Sequence, residues 1–183
     1  MSTATRLTYA DYCALPDDGA RYELLAGELV MMAPAPTPRH QKVVAGIAHR
    51  LTGHVESKRL GTVLFAPLDV ILTEQEVVQP DIVFISKARE GIIREKGIFG
   101  APDLCVEVLS PSTREKDLTV KRELYTRHGV VELWYVDLEA RRVELYRPRE
   151  EPTKPQTYFY EKDALVSPLL PGFELALEPL FKA

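Results

Sequence analysis

Hydrophobic and polar positions recur along this chain with two periods, and the period in force at each point names the element. RYELLAGELVMMA, residues 21–33, splits into two strand-like halves about Ala26-Gly27, the pattern of a β-hairpin. From Thr37 the period lengthens. Thr37 caps, Pro38 starts, and Val43, Val44, Ile47, Leu51 and Val55 recur at helical spacing, predicting a long helix to about Leu60. TVLFAPLDVILT then gives two strand-like halves around Ala66-Pro67, and QPDIVFIS and PDLCVEVLS read as buried strands. Between Ser86 and Ala101 the chain is polar and basic, and the pattern predicts a loop too irregular for core. TREKDLTVKRELYTRHG reads as one helix with Thr113 as cap and Gly129 as stop. VVELWYVD and RVELYRPR form a hairpin about Glu139-Ala140, and QTYFYE and FELAL read as late edge strands. At the other end, Thr8 to Leu15 reads as a short capped helix closed by Pro16 and the Asp17-Asp18-Gly19 turn. Strands dominate and bracket two helices, which predicts an α/β (α+β) sandwich around a mixed sheet.

Charges that break this pattern mark the candidate site. Glu107 stands between Val106 and Val108 inside an apolar strand, where a lone carboxylate costs several kcal/mol or stays protonated. It needs a cation or a metal nearby. Asp81 opens the preceding buried strand. On the later helix, at about 100° per residue, Lys121 falls inside the stripe of Leu118, Leu124 and Tyr125, with Asp117 one turn earlier. A lysine so placed points inward and can extend its stem toward Glu107. Glu23 either faces this pocket or is an exposed strand carboxylate, and Asp69 is a second possible pocket acid. His40 extends the long helix's inner stripe back to its N-terminus, as a phosphate contact, a partner of a metal-bound carboxylate, or a histidine satisfied within the fold. His49, His54 and His128 lack such placement and read as surface.

Composition narrows the class of protein. At 183 residues and 45% hydrophobic content, 1–183 is one globular domain with a full core. No membrane span or signal peptide is visible, so the expected location is cytoplasmic. Cys13 and Cys105 form neither a disulfide framework nor a zinc spacing. The net charge of −4 argues against a protein that simply coats nucleic acid. Base clusters locally in KAREGIIREK and in the Arg114 to Arg127 helix, either as a rim or as solvated faces among glutamates.

The ordered pieces YELLAGELV, the His40 helix, QPDIVF, VEVLSPST, Asp117, Lys121, Tyr125 and GVVELWYVD resemble the bacterial "putative restriction endonuclease" family of the PD-(D/E)xK nuclease superfamily, over roughly Tyr9 to Arg147. The resemblance implies a restriction-endonuclease-like fold, a mixed central sheet flanked by helices with additional hairpins. It further implies a metal-dependent DNA endonuclease, with Asp81, Glu107 and the Val108 carbonyl as ligands to Mg²⁺ or Mn²⁺ and Lys121 as the catalytic lysine. Glu23, His40 and Asp117 surround them. The superfamily's lysine lies two residues after the acid, where this chain has Leu109, so the resemblance implies that Lys121 acts from the next helix. Two other readings remain open: a nucleic-acid-binding or regulatory module that kept the fold without the chemistry, and a structural acid-lysine network. Aromatic and apolar late strands, Trp134 to Phe173, and the symmetry of cutting two DNA strands predict a homodimer.

Overall fold

In a computed structural model the described residues are 6–16, 19–32 and 35–182. The expected turn at Asp17-Asp18 and the start of the loop at Pro34 lie outside them. Four elements follow the sequence pattern closely. Thr8 closes a reciprocal capping box with Asp11 on α1 (Tyr9–Cys13). The hairpin of β1 (Tyr22–Leu25) and β2 (Glu28–Met31) turns through Ala26 and Gly27, at φ 52° and 79°, the two positive values that a two-residue hairpin turn requires. A Cβ on Gly27 would stand 2.6 Å from the Arg6 Cβ, so the turn is closed to larger residues. The long helix α2 (Pro38–Lys58) begins at Thr37, whose side chain accepts from the His40 N–H, and ends with Arg59 in the left-handed region. Its buried face is Val43, Val44, Ile47, Ala48, Leu51 and Val55.

The remaining strands are β3 (Gly61–Phe65), β4 (Val70–Thr73), β5 (Glu76–Val78), β6 (Ile82–Ser86), β7 (Ile93–Arg94), β8 (Gly97–Phe99), β9 (Leu104–Leu109), β10 (Glu132–Asp137), β11 (Arg142–Tyr146), β12 (Thr157–Tyr160), β13 (Ala164–Val166) and β14 (Glu174–Ala176). They form a central six-stranded sheet in the order β12-β11-β10-β9-β6-β3, with β9 and β10 parallel. A second sheet follows the order β2-β1-β5-β4-β8-β7, and β13-β14 is a separate hairpin. The expected mixed sheet with helices and extra hairpins is therefore present, and the hairpins gather into a sheet of their own.

Each face of the central sheet is covered. Ile82, Phe84, Leu104, Val106, Val108, Trp134 and Val136 pack against α2 and the C-terminal segment that ends in α5 (Glu178–Phe181). On the other face Val83, Ile85, Cys105, Leu109, Leu133 and Tyr135 pack against Val70, Val78 and Ile98 of the second sheet and against Leu124 and Tyr125. Two expectations are corrected here. The segment from Ser86 to Ala101 is not outside the core, because β7 and β8 pair within it and Ile98 is fully buried. The expected single helix after Ser110 is interrupted. It runs as α3 (Arg114–Lys116), a π turn (Asp117–Lys121) and α4 (Arg122–Arg127), with Gly129 at φ 77° as its stop and no capping bond from Thr113. The Thr119 hydroxyl donates to the Glu115 carbonyl at 2.5 Å, a bond of the kind that distorts helices.

Candidate active site

The site is built where β6 and β9 run side by side. Their antiparallel register pairs Ile82 with Val106 and Val83 with Cys105, and Asp81 and Glu107 are the residues just beyond the pair of Ile82 with Val106. Asp81 is fixed there because its Oδ2 accepts the Val108 N–H at 2.7 Å. Glu107 lies deeper, on the face that carries Cys105 and Leu109.

The interrupted helix delivers the cations, Lys116 from α3 and Lys121 from the π turn. Lys121 Nζ lies 2.6 Å from Glu107 Oε1, 3.2 Å from Glu23 Oε1 and 3.4 Å from Asp117 Oδ1. Lys116 Nζ reaches the other oxygen of Glu23 at 2.7 Å. The Tyr125 hydroxyl donates to Glu107 Oε1 at 2.6 Å, and the Gln79 N–H donates to Glu23. On the opposite side, His40 Nε2 is 3.0 Å from the Val108 carbonyl oxygen and 3.5 Å from Asp81 Oδ2. The structure thus brings together Asp81, Glu107, Val108, Lys121, Glu23, His40 and Asp117.

Glu23 is not an exposed strand carboxylate, since it is fully buried. Asp69 is not gathered into the cluster; Tyr12 and Gln79 donate to it instead. His128 is not a surface residue, because its Nε2 meets the carboxylate of Glu76 at 2.6 Å and the side chain is half-buried. His54 likewise packs its ring edge-on against Phe173. Two residues of the site escape the sequence pattern. Lys116 lies five positions before Lys121, about 140° away on a regular α-helix, and with the π turn between them both reach the Glu23 carboxylate. Tyr125 belongs to the apolar stripe, one turn after Lys121, and nothing in the pattern separates a hydroxyl donor from a core ring.

The electrostatics follow from burial and neighbours. Burial pushes the Glu107 carboxyl up to about 8; Lys121 pulls it down, while Asp117 and Asp81 add to the rise. Burial would raise Glu23 too, but Lys121 and Lys116 together hold it at about 2. Lys121 is kept charged against its burial by Glu107, Glu23 and Asp117. His40 is raised, its desolvation being outweighed by Asp81 and the Val108 carbonyl. Negative charge in the pocket is therefore incompletely matched around Glu107.

That imbalance and the donor set fit a hard divalent cation. Asp81 and Glu107 lie near enough for one charge to act on the other, and with the Val108 carbonyl they offer only oxygens, as Mg²⁺ or Mn²⁺ prefers. Among the described residues no three His, Cys, Asp or Glu side chains form a cage by themselves. Magnesium does not need one, because it keeps waters and takes one or two carboxylates.

These features define a chain of restriction-endonuclease-like fold with an acid-acid-lysine pocket at paired strands. The chain belongs to the Uma2 family, described as "Putative restriction endonuclease", whose model matches residues 9–178. Among solved structures it is similar to a putative nuclease of the DUF820 group from Anabaena variabilis, with a TM-score of 0.78 over 96% of this chain and 98% of that one. At 20% identity that likeness shows the fold. Comparison with curated proteins returns no match. Among the described residues, no helix is long and apolar enough to cross a membrane.

Proposed function

We propose that this protein is a metal-dependent endonuclease that hydrolyses phosphodiester bonds of DNA, acting in the cytoplasm as a homodimer. The observation that carries this reading is the tie of Asp81 Oδ2 to the Val108 N–H at 2.7 Å, next to Glu107 on β9, with a buried lysine 2.6 Å from Glu107. Asp81, Glu107 and the Val108 carbonyl would hold Mg²⁺ or Mn²⁺. When bound, the ion supplies Lewis-acid stabilisation of charge on the phosphoryl group and acidifies water.

The chain's own residues prepare that site. Lys121 favours the ionised form of Glu107 and fixes one of its oxygens, and the Tyr125 hydroxyl donates to the same oxygen. The Val108 N–H holds Asp81 Oδ2 at 2.7 Å, beside Glu107 on β9. The His40 Nε2–H donates to the Val108 carbonyl at 3.0 Å, with Asp81 Oδ2 at 3.5 Å. Lys121 also places a permanent positive charge in a pocket of low polarity, where it offsets negative charge that develops on a phosphate. Leu109 is at the superfamily's lysine position, on the same face of β9 as Glu107, and it is buried. That residue favours a second reading, a nucleic-acid-binding or regulatory module without chemistry. The closed Lys121 network favours a structural role as a third.

Two-fold assembly is supported by the edge strand β12, whose Tyr158 and Tyr160 are exposed. Trp134 and Phe173, which also suggested an interface, stack on each other at 5.6 Å inside the core.

Incubating supercoiled plasmid with the protein and Mg²⁺ or Mn²⁺ tests the proposal. Cleavage is expected with either ion, is abolished by chelation, and falls by at least 10²-fold in Asp81→Asn, on the scale of one positioned catalytic group. Equal cleavage by Asp81→Asn would contradict it.

A further inference from the structure

An ammonium has three N–H donors. Those of Lys121 face three carboxylate oxygens, on Glu107, Glu23 and Asp117, and its side chain is only 4% exposed. None is left for a ligand. Lys116 differs on both counts. Its Nζ donates to Glu23 Oε2, no other acceptor among the described residues engages it, and its side chain is 23% exposed. Glu23 joins the two lysines through its two oxygens, with the inner lysine on Oε1 and the outer one on Oε2. The π turn makes this possible, since a regular helix would turn Lys116 away from the carboxylate that holds Lys121. A buried carboxylate thus holds the ammonium of a partly exposed lysine, with two uncommitted donors, beside the buried acidic cluster.

We propose that Lys116 is the lysine that donates to a phosphate of a nucleic-acid substrate, while Lys121 is a positioning residue that holds Glu107 and Glu23. The inference rests on the nuclease reading for the chemical class of the ligand alone. It does not require cleavage. Glu23 takes up one N–H of Lys116 and thereby fixes the direction of the other two.

The test is the salt dependence of binding to a short DNA duplex, read by fluorescence anisotropy with Ca²⁺ as the divalent ion, for wild type, Lys116→Ala and Lys116→Arg. Each phosphate contact adds about 0.9 to the slope of log binding constant against log salt. Lys116→Ala is expected to lower that slope by about 1, Lys116→Arg is expected to keep it, and the melting temperature of Lys116→Ala stays within about 2–4 °C because Glu23 retains Lys121. Plasmid cleavage with Mg²⁺ should fall on the order of 10²-fold in Lys116→Ala and recover in Lys116→Arg. An unchanged slope in Lys116→Ala overturns the inference. So does a large fall in melting temperature with no recovery of the slope in Lys116→Arg. The two proposals separate. A lowered slope with no cleavage by wild type upholds the phosphate contact and ends the nuclease reading. Cleavage by wild type that is matched by Lys116→Ala at an unchanged slope does the reverse, and a wild type with no salt-dependent binding ends both.

Discussion

Lys121 meets three acids while almost wholly buried, so removing it leaves Glu107 and Glu23 short of a counter-charge in a dry pocket. Lys121→Ala is expected to lower unfolding stability by about 3–5 kcal/mol in urea melts, the cost of breaking a buried pair. At temperatures where the variant stays folded, cleavage should fall by about 10²–10⁴. An unaltered rate would remove Lys121 from the mechanism. Glu23 gives a pH signature. Its carboxyl is held at about 2, below the ordinary 4.5, so the stability it contributes is present above pH 4.5 and lost as pH falls toward 2. Across that window the stability difference between wild type and Glu23→Gln should shrink by about 3 kcal/mol, at 1.36 kcal/mol per unit. Parallel pH profiles would contradict it. Glu107 and Lys121 were legible in the sequence because each interrupts an apolar period, and Asp81 because it opens a buried strand. Lys116 was not, because a helical wheel assumes the i→i+4 register that the π turn abandons.

At the scale of elements, β9 and the helix after it compete for the same role. Glu107 and Leu109 lie two residues apart and share a face of β9, so a lysine at position 109 would emerge beside Glu107. Leu109→Lys in the Lys121→Ala background is expected to recover at least tenfold in cleavage rate over Lys121→Ala alone. No recovery, with both variants folded by circular dichroism, would mean that the two positions do not serve one site. The strand runs, the two-residue hairpin at Ala26-Gly27 and the capped helices were legible because their signals are local. Sheet membership was not. β3 and β4 are neighbours in sequence yet enter different sheets, and β7 and β8 join the core through pairing with a distant strand. Nothing in a window of ten residues carries that information.

The whole molecule depends on its C-terminal segment to cover α2 and the outer face of the central sheet. Glu132, fully buried, accepts from Trp134, Ser167 and the Leu169 N–H, and Phe173 stacks on Trp134. Phe173→Ala should cost about 3–5 kcal/mol, as large-to-small changes in packed cores do, measured by denaturant unfolding. A cost under about 1 kcal/mol would mean that the segment is not part of the cooperative core. Assembly is read by light scattering, where twice the 20.6 kDa chain mass is expected and a monomer at high micromolar concentration would end the dimer proposal. The central claim is that Asp81 and Glu107 together hold one divalent ion, and calorimetric titration with Mn²⁺ tests it most directly. Wild type should bind one ion per chain, and Glu107→Gln should bind at least tenfold more weakly while remaining folded. Equal binding by wild type and Glu107→Gln would contradict the account.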